Sequence, residues 1–91
     1  MNNQIFKYGP LRVQEYPDDW QRLDTPEFSK FLHVGIQNGE VYAWFEVNPR
    51  AAQVPTEVII IGTGWDVPED GEYLGTVIGA NGFVWHLYRK L

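Results

Sequence analysis

The dipeptide Asn38-Gly39 constrains this chain more than any other feature of it. Two runs rich in β-branched and aromatic residues flank it, Lys30–Gln37 and Glu40–Val47. A two-residue type I′ turn needs positive φ at both central positions, which asparagine and glycine adopt at least cost, so Asn-Gly between such runs predicts a hairpin. The turn sets the register: Ile36 opposite Val41, Val34 opposite Ala43, Leu32 opposite Phe45. Strand side chains alternate, so these six form one apolar face, assigned to the core. The other face carries Phe31, His33 and Gly35 opposite Glu46, Trp44 and Tyr42. A face holding Phe, His, Tyr and Trp is either covered by another segment or used for binding.

A second hairpin is expected from residues 72–78 and 83–89, joined through Gly79-Ala80-Asn81-Gly82. The loop turns either as four residues or tightly at Asn81-Gly82. Both choices place Leu74, Thr76 and Ile78 with Phe83, Trp85 and Leu87, and Tyr73, Gly75 and Val77 with Val84, His86 and Tyr88. Residues 57–63 contain the continuous β-branched run Val58 to Ile61 and read as a strand buried on both faces. Residues 4–8 and 11–14 read as short strands around Gly9-Pro10. Residues 17–22 fit one helical turn, with proline at its start and acids at its positive end. Residues 24–27 read as a turn and 48–55 as a loop. The expected fold is mostly β: one domain over residues 1–91, a small antiparallel sandwich or half-barrel of six to seven strands, with at most one short helical turn.

Composition narrows the setting. The chain has 91 residues, with 44% hydrophobic and 21% charged residues, a globular balance. Four Trp, five Tyr and five Phe compensate for the small core that such a length allows. There is no cysteine, which removes disulfide staples, thiol catalysis and cysteine-based zinc sites and points to the cytosol. The opening residues Met1-Asn2-Asn3-Gln4 show no signal-peptide pattern, and no apolar run approaches the ~20 residues of a membrane helix. A net charge of −5 disfavours sequence-independent nucleic-acid binding, which is driven by cationic surface.

The chemistry is sparse. The one serine, Ser29, stands outside any nucleophile motif. His33 and His86 lie on separate strands and read as packed histidines rather than metal ligands. Asp66, Glu69, Asp70 and Glu72 share a loop but lack calcium-loop spacing, so a solvated acidic loop is the preferred reading. Gly62-Thr63-Gly64 follows the buried strand, but no lysine follows it and Pro68 and Gly71 prevent a helix from opening there. Its backbone N–H groups still offer an anion site beside Trp65, which is suited to stacking on a base. No metal and no cofactor is implied.

The order of motifs resembles a family of small phage and prophage proteins known as a domain of unknown function. The resemblance rests on Ile5-Phe6-Lys7-Tyr8, Val34-Gly35-Ile36-Gln37-Asn38-Gly39 with Trp44, and Ile61-Gly62-Thr63-Gly64 with Pro68. Glu72-Tyr73-Leu74-Gly75-Thr76-Val77 and Phe83-Val84-Trp85-His86-Leu87-Tyr88 complete it. Two departures stand out: Trp65 occupies a position that is often His in that family, and the stretch from Tyr16 to Phe28 is longer here. The resemblance implies a phage-encoded protein in the host cytosol and carries over no site residues.

The expected function is a non-enzymatic binding protein of phage type. It would counter host defence by occupying a defence protein or by sequestering a small signalling nucleotide. The candidate residues are Phe31, His33, Tyr42 and Trp44 on the hairpin face, and Gly62, Thr63, Gly64 and Trp65 with Arg50 or Arg89 for a nucleotide. The alternatives are a minor virion or assembly component that oligomerises through strand edges, and a small hydrolase with His33 or His86 within reach of a nucleophile.

Overall fold

A computed structural model describes residues 2–91; Met1 lies outside them. Seven strands follow one another: β1 (Gln4–Leu11), β2 (Gln21–Pro26), β3 (Lys30–Gln37), β4 (Glu40–Val47), β5 (Gln53–Gly62), β6 (Gly71–Ile78) and β7 (Val84–Lys90). They form two antiparallel sheets, β1-β4-β3 (sheet A) and β2-β5-β7-β6 (sheet B), each with two free edges. This is a small sandwich rather than a closed barrel, and the described residues contain no helix.

The first hairpin has the expected ends. Asn38 and Gly39 take φ of 52° and 78°, and Ile36 faces Val41 while Val34 faces Ala43. The expectation fails further from the turn. A bulge between Phe31 and His33 adds one residue to β3, so Phe31 rather than Leu32 faces Phe45. Phe31 enters the core, with its ring edge-on to that of Phe45 at 5.6 Å, and Leu32 is left 39% exposed. The larger ring removes more surface from water than leucine would, which favours the bulged arrangement.

The face assignment of the second hairpin is also corrected. Ile78 pairs with Val84, which makes the connection five residues, 79–83. Gly79 N–H donates to Phe83 O (2.7 Å), Gly82 N–H donates to Gly79 O (3.0 Å), and Asn81 Oδ1 accepts from Phe83 N–H. One extra residue reverses the parity. Thr76 and Ile78 therefore share a face with His86 and Val84, and Val77 and Gly75 turn inward with Trp85 and Leu87. A bulge between Tyr73 and Gly75 restores the expected match of Tyr73 with Tyr88.

Three other readings change. Residues 17–22 form no helical turn, because Asp18 takes a φ of 60° and the chain enters β2 at Gln21. β2 occupies residues 21–26, where the end of the expected helical turn and most of the expected turn over 24–27 fall, and β5 begins at Gln53 rather than at 57, inside the expected loop. Pro55 is tolerated in β5 because β7 pairs only from Val58 onward. Residues 4–11 are one strand, broken in register between Tyr8 and Leu11, rather than two.

The core lies between the sheets. Val34, Val41, Ala43, Phe45 and Val47 of sheet A meet Val58, Ile60 and Leu87 of sheet B, with Leu11 at the margin. β3 approaches β6 closely at Gly75, where a Cβ would stand 3.0 Å from Val34 Cγ1. β5 is buried on both faces. Ile59 and Ile61, 0% and 2% exposed, alternate with Val58 and Ile60 and so point away from the core. Their cover follows from topology. β5 and β6 are parallel, with β7 between them, so residues 63–70 must run from one end of sheet B to the other across its outer face. Pro68 in this strap is buried, and its carbonyl accepts from Gly71 N–H.

Candidate functional site

The outer face of sheet A is open. β4 presents Tyr42, Trp44 and Glu46 there; β1 adds Ile5 and Lys7; β3 adds His33 and Gly35. These side chains form a row across the three strands. Lys7 Nζ lies 4.7 Å from the centre of the Tyr42 ring, Tyr42 is 6.3 Å from Trp44, and Trp44 is 5.7 Å from His33. Gly35 makes the recess in which His33 lies against Trp44: a Cβ there would be 2.9 Å from His33 Nε2. Gln37 Oε1 accepts from Lys7 (3.0 Å), so the cation is held over the ring. Glu46 accepts from Asn3. His33, Tyr42 and Trp44 are thus brought together as the hairpin pattern implied, Phe31 is removed by the bulge, and Lys7 joins them. Lys7 is visible in sequence only once β1 is known to pair with β4.

The second group of candidates is dispersed. Trp65 folds back onto Gly62, where a Cβ would come within 3.0 Å of its ring, and packs edge-on against Trp85 at 6.0 Å, leaving it 46% exposed. Thr63 N–H donates to Val84 O and Trp65 N–H donates to Gly62 O, so two of the N–H groups an anion would need are already used. Arg50 sits in the turn before β5, at the opposite end of that ten-residue strand from Gly62. Arg89 pairs with Glu72 near the start of β6 and faces Val58, four positions along the ladder from the Gly62–Trp85 pair. The fold therefore does not unite Trp65, Gly62, Thr63 and Gly64 with Arg50 or Arg89.

The two histidines stand on opposite outer faces. His86 bridges two hydroxyls, with Thr63 Oγ1 2.9 Å from Nε2 and Thr76 Oγ1 2.9 Å from Nδ1, and Thr76 in turn contacts the Tyr73 hydroxyl at 2.6 Å. A nucleophile–base pair needs such a hydroxyl–imidazole contact. Here the imidazole is oriented by a threonine, with no carboxylate to support an imidazolium. The chain of hydroxyls ties the strap to β7 and β6. Among the described residues, no group of three or more His, Asp or Glu is placed to hold a metal ion.

Asp19 is the buried charged side chain among the described residues. Its carboxylate accepts from Glu15 N–H and from the Arg12 guanidinium, pinning residues 12–19 beside sheet B. The Glu15 N–H first, and then Arg12, hold the carboxyl below its ordinary value against the opposing effect of burial. A lowered folded-state value means that the contribution to stability is full above the unfolded value near ~4 and is lost as pH falls through the folded one. Asp19→Asn is expected to lower the urea midpoint at pH 7 and to flatten the acid limb of the stability–pH curve.

An open antiparallel sandwich whose sheet A carries an aromatic row on its outer face defines the class of this molecule. The chain belongs to the family described as domain of unknown function DUF7352, which matches residues 1–91. No curated protein and no solved structure matches it. No helix among the described residues is long and apolar enough to cross a membrane.

Proposed function

We propose that the chain is a non-enzymatic binding protein that acts by occupancy, docking a partner protein on the outer face of sheet A. The row Lys7–Tyr42–Trp44–His33 carries this reading, because it is set on paired strands with Lys7 and His33 exposed and Tyr42 and Trp44 half-buried. Tyr and Trp are favoured anchors, since each brings a large apolar area on few rotatable bonds. The face is flat, which suits a folded surface; small ligands are held in concave sites. The partner surface is apolar at its centre, to meet Tyr42, Trp44 and Ile5, with a carboxylate near Lys7.

The resemblance to phage and prophage proteins extends this reading to a phage protein in the host cytosol whose partner is a host defence protein. Nucleotide sequestration is the weaker version, because carboxylates rather than arginines surround Trp65. Tagged chain and its Tyr42→Ala/Trp44→Ala variant, each passed through host-cell lysate, test the proposal. The wild type is expected to retain a discrete protein that the variant loses. Equal retention by both would refute this face as the site.

A further inference from the structure

The net charge of −5 is not spread evenly over the molecule. Among the described residues, Asp19, Asp24, Glu57 and Glu72 are ion-paired, with Arg12, Arg22, Lys90 and Arg89. Of the eight remaining acids, five line a single groove: Glu15, Asp18, Asp66, Glu69 and Asp70. The groove runs between residues 14–18 and the strap and encloses about 770 Å³. No Lys or Arg lines it. Its walls are also apolar, because Tyr16, Trp65 and Val67 stand there with 60%, 46% and 53% of their surface exposed. In the same wall, Gln14 Oε1 is sealed from solvent and accepts no hydrogen bond, an acceptor left without a donor.

We infer that this groove takes an extended basic segment of a partner protein, with arginine or lysine side chains set among the five carboxylates. The argument is charge complementarity. Five like charges along one cleft repel one another in the free protein, and a string of cations relieves that repulsion. Arginine fits best, because its planar guanidinium stacks on Tyr16 and Trp65 while its N–H groups reach the carboxylates. A metal ion does not fit, since the acids are strung along the groove rather than gathered around a point. A phosphate-bearing ligand is repelled. This site is separate from the outer face of sheet A, and neither reading depends on the other.

Titration of the full chain with a synthetic Arg-Gly repeat peptide, read by tryptophan fluorescence and calorimetry, tests the inference. Saturable binding is expected, weakening as salt rises. Asp66→Asn/Glu69→Gln/Asp70→Asn should weaken it about tenfold or more, while Asp24→Asn/Glu27→Gln/Glu40→Gln, which changes the net charge equally, should leave it nearly unchanged. Tyr42→Ala/Trp44→Ala should also leave it unchanged, which separates the two sites. Absence of saturable binding, or equal weakening by both triple variants, overturns the inference.

Discussion

Replacing Phe45 with alanine is expected to cost about 3–5 kcal/mol. Phe45 is 1% exposed on the central strand of sheet A, and the rings of Tyr8 and Phe31 stand edge-on to it, each at 5.6 Å. Removing the ring forfeits its transfer energy and leaves a cavity that two sheets held by backbone ladders cannot close. A domain of this length has about 5–14 kcal/mol of stability in total, so the variant loses about a fifth or more of it. Urea unfolding followed by tryptophan fluorescence measures the loss. Phe28→Ala is the contrast: Phe28 is 93% exposed, and its removal should stay within about 0.5 kcal/mol of wild type.

The second large effect tests the strap. Ile59 points away from the core, and on a sandwich with a solvated outer face its truncation would cost under about 1 kcal/mol. Ile59→Ala is instead expected to cost about 2–5 kcal/mol, as much as Ile60→Ala on the inner face, because the outer side of β5 is as fully buried as the inner side. The same urea experiment compares the two. A small loss at Ile59 beside a large one at Ile60 would show that the strap is a loose cover.

Much of the fold was legible locally. Asn38-Gly39 specified a turn, a register and the limits of two strands, because positive φ at two adjacent positions leaves little choice. The continuous run from Val58 to Ile61 announced burial on both faces. Features that depend on counting residues between distant partners were not legible. Sequence does not show that β3 takes an extra residue at Leu32, and that single insertion exchanges Phe31 for Leu32 in the core. The parity of the second hairpin turned on whether Phe83 belongs to the loop, which Asn81 and Gly82 settle through hydrogen bonds rather than composition. β2 is not legible locally because its residues, Gln21–Pro26, are polar except for Leu23 and end in proline, as an edge strand's can be. The acidic groove was half visible: Asp66, Glu69 and Asp70 read as one loop, but only the crossing of the strap brings Glu15 and Asp18 beside them.

The aromatic face shows the same division. His33, Tyr42 and Trp44 followed from alternation once the turn was placed, whereas whether anything covered them was a question of tertiary structure. The sandwich answers it by using the opposite face of sheet A for the core.

The most direct test of the central claim is the affinity for the purified chain of a protein that the wild type retains from lysate, measured by calorimetry for wild type, Tyr42→Ala/Trp44→Ala and an Arg22→Ala control on the far sheet. One anchor residue of this kind contributes about 2 kcal/mol or more and neighbouring anchors do not simply add, so the double variant should bind at least about 30-fold more weakly with its urea midpoint little changed, and the control should bind as wild type does. An affinity within about twofold of wild type for the double variant would contradict the account.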